Sequence, residues 1–122
     1  MAEVSCTQTQ ITELHGRGCI TLTWGALTAA DLTAIAVKVA GLTDKSVQLQ
    51  GTFAGSCAVA LHGSNDGTNY HLLTDPQGND ITKTASDLEA VSEATLWIKP
   101  VMTAPDATTS VVVTVFAKGI IV

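Results

Sequence analysis

The chain has 122 residues, of which 46% are hydrophobic and 14% are charged, and its formal net charge is -5. This length fits one domain, and a charged fraction well below the usual quarter leaves much of the surface suited to contact with other proteins. The six basic residues form no stripe for a phosphate backbone, and no apolar run reaches the roughly 20 residues that span a bilayer. We therefore expect no nucleic-acid binding and no membrane binding.

The cysteines are few and widely spaced. They are Cys6, Cys19 and Cys57, and none belongs to a CxxC pair of the kind found in metal or redox motifs. Residues 1–10 also lack the charged and apolar parts of a secretion leader. These features predict synthesis in a reducing cytoplasm.

The N-terminal quarter contains the first strand patterns. Residues 1–10 are polar and rich in Thr and Gln, which indicates an extended arm or an edge strand, and of these we favour the arm. Short alternating patterns follow at 11–14 and 19–24. In the second of these, Leu22 and Trp24 fall on one apolar face, as expected of a half-buried strand.

Residues 27–42 carry two conflicting patterns. Thr28 stands where a helix N-cap would stand, whereas Ile35, Val37 and Val39 alternate as they would in a strand. Because β-branched residues favour strands, we predict a short turn followed by a strand that presents these three side chains on one face.

The central stretch predicts consecutive antiparallel strands at 46–53 and 57–62, separated by a reversal at small residues. Asp66-Gly67 then matches the centre of a two-residue hairpin turn, in which the glycine takes a positive φ. Counting outward from this turn places Leu61 opposite Leu72 on a common buried face. The same count places His62 opposite His71.

The rest of the chain continues as short strands and turns. Residues 74–80 have the composition of a surface turn, and 81–91 form either short strands or an irregular crossing. Two closing strands are predicted at 94–103 and 110–122, and Pro100 indicates that the first is an edge strand or is bulged.

About eight short antiparallel strands, with at most one helical turn, predict an all-β fold, a β-sandwich or jelly roll. We assign residues 11–122 to a single β-sandwich domain.

His62 and His71 are the first candidates for a metal site, because the predicted hairpin would place two imidazoles on one face. Two ligands are too few for a zinc site, so two solvent-facing histidines are the better interpretation. Asp66, Asp75 and Asp80 could offer oxygens to calcium, but their spacing fits no EF-hand loop. Aspartates are favoured in turns for their bonds to the backbone, and we expect no metal ligand here.

Catalysis finds equally little support. Ser56-Cys57 follows a glycine but lacks the strand-to-helix context of a nucleophile elbow, and Cys57 has the position of a buried structural thiol. Trp24, Tyr70 and Trp97 could form a platform for sugar stacking, although core or interface roles are more usual within strands. We predict a protein that is not an enzyme and has no catalytic residue, cofactor-binding residue or cofactor.

Four segments carry a resemblance to known proteins. They are SVQL at 46–49, GTF at 51–53, GSNDGTNY at 63–70 and DPQGN at 75–79. The stretch from Trp24 to Val115 resembles small structural proteins of tailed bacteriophages, above all the capsid decoration proteins, also called cement or head auxiliary proteins.

This resemblance implies a β-sandwich or jelly roll that binds the outer surface of the capsid and stabilises contacts between major capsid protein subunits. The protein would be located in the virion, on the capsid surface, after synthesis in the host cytoplasm. The resemblance also implies a homodimer or homotrimer, and no site residue is carried over from it. Sparse charge and high apolar content independently predict a homo-oligomer.

An alternative function belongs to a different class. A carbohydrate- or receptor-binding β-sandwich module of a phage tail would use Tyr70 and the Asn/Asp-rich loops. A tail-tube or head-completion protein is a third possibility.

Overall fold

The computed structural model describes residues 3–10, 18–31 and 33–119. Within these ranges there is no helix, and hence none that could cross a membrane. The ten strands are β1 (Cys6–Gln10), β2 (Cys19–Thr28), β3 (Val37–Lys38), β4 (Asp44–Thr52), β5 (Ala58–Ser64), β6 (His71–Leu72), β7 (Thr82–Lys83), β8 (Asp87–Val91), β9 (Trp97–Thr103) and β10 (Ser110–Lys118). The all-β prediction is confirmed, with ten strands rather than about eight.

The strands form two antiparallel sheets. The first has the order β1-β2-β10-β4-β8, and the second has the order β3-β9-β5-β6, with β7 also pairing with β5. Apart from β1, the pairing is nested: β2 pairs with β10, β3 with β9, β4 with β8, and β5 with β6 and β7. This is the strand arrangement of a jelly roll.

The core lies between the two sheets and is lined by alternate residues of the strands. In β10, Val111, Val113 and Val115 are fully buried, and the side chains between them are not. On β2, Leu22 and Trp24 are buried as predicted. Buried side chains from both sheets form one hydrophobic cluster, whose period-two pattern is that of sheets with one solvated face.

In residues 27–42 the predicted short turn is confirmed, but the three β-branched side chains do not all lie on one face. Strand β2 continues to Thr28, and the Asp31 N–H donates to Thr28 Oγ1 at 3.1 Å, so Thr28 holds a turn and does not begin a helix. Val37 and Val39 are buried as predicted, but Ile35 is 44% exposed. Thr33 bridges Val101 of β9, and pairing with β9 resumes at β3. Between these two points the Ile35 N–H donates to the carbonyl of Val4.

The prediction of a strand at 46–53 is confirmed by β4. The next strand, β5, was expected to follow as an antiparallel neighbour, but it lies in the other sheet. The connection at 53–57 therefore passes from the first sheet to the second. Strand β4 pairs with β10 and β8, whereas β5 pairs with β9, β6 and β7.

The predicted hairpin register is wrong by one residue. His62 lies opposite Leu72, and Gly63 lies opposite His71. Because a shift of one residue reverses the faces of a strand, Leu72 does not join Leu61 in the core. Leu73 is buried in its place, with 3% of its surface exposed.

The cause of this shift is the length of the loop. Six residues, 65–70, separate β5 from β6. The Ser64 hydroxyl accepts the N–H of Gly67 at 2.9 Å, and the Asp66 carboxylate accepts the N–H groups of Thr68 and Asn69 at 2.8 Å. Gly67 does have the predicted positive φ, 77°, but within a longer loop than a two-residue turn.

An arm was the favoured alternative for residues 1–10, but Cys6–Gln10 forms the edge strand instead and pairs with β2. Pro100 lies in β9, an interior strand of the second sheet rather than an edge. It faces Leu61, whose N–H donates to Ile81 on the other side of β5. This position of the β5–β9 ladder carries no hydrogen bond, so a proline is tolerated there.

The remaining predictions divide between the described and undescribed parts of the chain. Residues 81–91 contain the short strands β7 and β8, which was one of the two alternatives. The surface turn at 74–80 is confirmed by the bridge between Thr74 and Asp80. The pattern at 11–14 and positions 120–122 of the last predicted strand lie outside the described residues.

Candidate functional site

The first sheet has one face in the core and one on the surface of the protein. Successive side chains of a strand point to opposite faces, so the residues between the buried valines of β10 point away from the core. They are Val112, Thr114 and Phe116. In the strand register, Thr114 lies between Thr23 of β2 and Gln48 of β4.

We call this surface the outer face. It consists of Thr7, Thr9, Thr21, Thr23, Ser46, Gln48, Gln50, Leu88, Ala90, Val112, Thr114 and Phe116. None of these side chains is charged. Lys118 and Asp44 point to the same side of the sheet, because they follow Phe116 and Ser46 at the next outward positions of β10 and β4, and they pair with each other at 4.0 Å at one end of the face.

Large hydrophobic side chains are exposed on the outer face. Leu88, Val112 and Phe116 are 60%, 36% and 38% exposed, and they are three of the four large hydrophobic side chains that the described residues expose. The fourth is Ile35, outside the first sheet. Interface cores are depleted of charge and enriched in aromatic residues, so this composition is typical of a protein-binding surface.

The outer face has the size of a protein interface. Five strands spaced about 4.8 Å apart, three of nine or ten residues and two of five, give this side of the sheet an area of roughly 600 Å². Stable interfaces bury about 600 to 1,000 Å² on each partner. This side of the sheet therefore has the size of the smaller stable interfaces.

A cleft of about 410 Å³ lies beside the loop at 65–70. Its lining residues are Gly63, Ser64, Asn65, Asp66, Asn69, His71, Leu72, Leu73, Glu93 and Thr95. Several of its polar groups have internal partners: Asn65 Oδ1 accepts the N–H of Leu96, and the Glu93 carboxylate accepts the N–H of Thr74. These bonds hold the loop in place and reduce the number of groups available to a ligand.

The two histidines of the predicted hairpin lie on opposite faces of the second sheet, because His62 pairs with Leu72 and His71 pairs with Gly63. The predicted arrangement of two imidazoles on one face is therefore wrong. Burial lowers the pKa of His62, and the nearby positive charge of Lys99 lowers it further. In the described part of the chain, no group of three or more His, Cys, Asp or Glu residues could hold a metal ion.

The aspartates of the two loops act as turn residues, as predicted. The Asp75 carboxylate accepts the N–H groups of Gln77 and Asn79, both at 3.0 Å. Asp66 accepts backbone N–H groups in the same way, and the bonds from Asn69 and Thr68 hold the pKa of its carboxyl well below its usual range. Asp80 bridges Thr74 through its backbone.

Asp75 also contacts a second acid across the edge between the sheets. A hydrogen bond with Asp75 raises the pKa of Glu89, and the bond from the Asn79 N–H lowers the pKa of Asp75. Lys83 Nζ lies 2.9 Å from an Asp87 oxygen and 3.8 Å from a Glu89 oxygen. This network joins β7 to β8 and so has a structural role.

The three aromatic residues do not form a common platform for sugar stacking. Trp24 is fully buried, and its Nε1 donates to the carbonyl of Ile35 at 2.8 Å, which confirms a core role. The Tyr70 ring is covered by Lys99, whose Nζ lies 4.4 Å from the ring centroid. Trp97 is half-buried, and its indole packs beside Gly67.

Two of the three thiols, those of Cys57 and Cys6, have the properties of structural cysteines. Cys57 is buried, as predicted, and burial raises its pKa. Burial likewise raises the pKa of Cys6 to about 11. Thiols with raised pKa values are poor nucleophiles at neutral pH, since few of them are ionised.

Sequence reasoning did not identify the outer face. Its pattern is present in the sequence: the residues of β10 that alternate with the buried valines include Val112 and Phe116, and those of β4 include Gln48 and Gln50. The grouping requires the strand order, since Leu88 reaches Gln48 only because β8 pairs with β4.

Comparison of the chain with models of protein families, with curated protein sequences and with solved structures finds no match.

Proposed function

We propose that this protein is a structural component of a phage virion that binds the outer surface of the capsid and stabilises contacts between major capsid protein subunits. The observation that carries the proposal is the outer face, a sheet surface with exposed Phe116, Val112 and Leu88 whose flanking charges, Lys118 and Asp44, lie only at one end. The resemblance of residues 24–115 to decoration proteins supplies the partner. Jelly rolls are common among viral capsid proteins, which is in keeping with the proposal, although a fold alone assigns no function.

Binding of this kind stabilises a shell by mass action. A ligand that binds the assembled state and not the separated subunits favours assembly, by RT ln(1 + [L]/Kd) for each site. Each contact can be weak, because many copies on one lattice act together. The protein needs only a rigid binding surface for this role, and a strand-built face with buried valines behind it is such a surface.

Phe116→Lys tests the role of the outer face. The side chain is partly exposed, so the fold tolerates the change, whereas a lysine would have to be desolvated in the contact. We expect binding to undecorated shells of the cognate phage to weaken at least about tenfold in co-sedimentation. Ile35→Lys is the matched control, because Ile35 is similarly exposed but lies outside this face.

Two results would contradict the proposal. Equal binding by Phe116→Lys and the wild type would show that the outer face is not the capsid contact. Identical thermal stability of bare and fully decorated shells would show that the protein does not stabilise the capsid.

The copy number in virions tests the class of protein. Quantitative mass spectrometry should find this polypeptide at a number on the scale of the major capsid protein. A few copies per particle would instead indicate a tail or head-completion protein.

A second candidate function rests on the cleft beside residues 65–70. A volume of about 410 Å³ lies within the range of small-ligand sites, and Asn69 and His71 in its lining could bond to sugar hydroxyls. A carbohydrate-binding module of a phage tail would bind a glycan array and lose that binding in His71→Ala. If the wild type and the variant bound the same glycans, this cleft would be excluded as the glycan-binding site.

A further inference from the structure

Strand β1 forms one edge of the first sheet. One side of it pairs with β2 over all five residues, and no strand of the described ranges pairs with its other side. Its sequence, CTQTQ, contains no charged residue and no proline, and four of its five residues are exposed. The register with β2 is regular. A strand edge with these properties is suited to pairing with another chain.

The other described edges are protected. Strand β8 carries Asp87 and Glu89, which pair with Lys83. The edge strands β3, β6 and β7 of the second sheet have two residues each. Charges and short length are two of the devices by which proteins prevent edge pairing. Only β1 has neither device.

We propose that β1 pairs antiparallel with β1 of a second copy of this chain, about a twofold axis at Gln8. In this register all five residues pair, and Thr7 lies opposite Thr9 of the second copy. The pairing is isologous, so one surface is complementary to itself. It places no like charges opposite one another, and cross-strand threonine pairs are favourable.

The paired edges would join the two first sheets into one continuous sheet of ten strands. The two outer faces would then lie side by side, because Thr7 and Thr9 belong both to β1 and to the outer face. This inference concerns the sheet edge and stands whether or not the outer face binds a capsid. A dimer without capsid binding, or capsid binding by a monomer, would separate the two proposals.

Charge substitution at Thr7 and Thr9 tests the pairing. Thr7→Lys/Thr9→Lys sets lysines opposite lysines, and Thr7→Glu/Thr9→Glu does the same with glutamates. By sedimentation velocity, we expect a wild-type dimer, self-association weakened at least about tenfold in each double variant, and a restored dimer in their equimolar mixture. Thr84→Lys/Ala85→Lys adds the same charge in an exposed bend and should remain dimeric.

A cross-link provides the second measurement if the charged variants fail to fold. Paired residues of antiparallel strands have Cα atoms about 5 Å apart, within disulfide range. Gln8→Cys should therefore form an intermolecular disulfide upon oxidation, through the added cysteine and beyond any cross-linking of the wild type. A monomeric wild type at high concentration, a mixture that does not pair, or a Gln8→Cys chain that does not cross-link through this residue would each overturn the inference.

Discussion

Asp66 organises the loop between β5 and β6 through its side chain. Its carboxylate accepts the N–H groups of Thr68 and Asn69 and a bond from the Asn69 side-chain amide, while Ser64 closes the other side of the loop. A carboxylate in this position replaces backbone partners that a loop cannot provide. The loop therefore depends on the ionised form of one residue.

The depressed pKa of Asp66 predicts how stability depends on pH. Because the pKa is lower in the folded chain than in the unfolded chain, the carboxylate contributes stability above the unfolded pKa of about 4, and that contribution is lost as pH falls below it. The difference in unfolding free energy between the wild type and Asp66→Asn should therefore shrink between about pH 5 and about pH 2 in denaturant titrations. A difference that stays constant over this range would contradict the prediction.

This loop and the turn at 74–80 show what sequence could and could not predict about single residues. Turn roles for Asp66 and Asp75 and a positive φ at Gly67 followed from residue chemistry. The register did not, because the Ser64 hydroxyl and the Asp66 carboxylate hold a six-residue loop where Asp-Gly suggested two. That single difference placed His62 and His71 on opposite faces.

Strand β10 lies in the middle of the first sheet and pairs with a strand on each side. It lies between β2 and β4, and its alternation separates the core from the outer face. Val112 and Val113 are adjacent in sequence and belong to opposite faces, 36% and 0% exposed respectively. The same side chain is therefore present at one exposed position and at one buried position.

Truncating each valine should have unequal effects. Val113→Ala removes buried methyl groups and leaves a cavity, so we expect it to lower the free energy of unfolding by about 2 kcal/mol. Val112→Ala lies on the outer face and should change it by about 0.5 kcal/mol or less. Urea unfolding of both variants measures the difference, and equal effects would contradict the assigned faces.

Strand existence was predicted better than strand neighbours. Alternation identified β4 and much of β10, since burial on one face leaves a local pattern. Sheet membership leaves no such pattern, and the turn between β4 and β5 gave no indication that it crosses from one sheet to the other. Ile35 followed the strand pattern yet is exposed, because a contact with distant Val4 decides its position.

In the whole molecule, charges lie at the margins of the proposed contact surface. The ion pairs in the described residues lie at the β7–β8 edge and, for Lys118 and Asp44, at the end of β10 and β4 beside the outer face. The all-β class followed from turn spacing and alternation, whereas the outer face emerges only when β8, β4, β10, β2 and β1 are placed side by side. A surface built from five strands that are far apart in the sequence leaves no contiguous sequence motif.

A contact whose only charges are an ion pair at its margin should tolerate salt. Ionic screening weakens binding that depends on ion pairs, but it has little effect on apolar and hydrogen-bonded contacts. We expect the affinity for undecorated shells to change less than about threefold between roughly 0.05 and 1 M NaCl. A loss of tenfold or more in the same sedimentation assay would show that charged groups outside the outer face carry the binding.

The nested pairing of the strands also bears on how the chain is made. β10, which occupies the middle of the first sheet, is the last of the ten strands to leave the ribosome, while its partners β2 and β4 are among the first. At the usual 5–20 residues per second, β2 waits several seconds for its partner. During that interval the apolar sides of the early strands lack their central neighbour, so the nascent chain exposes apolar surface until synthesis reaches β10.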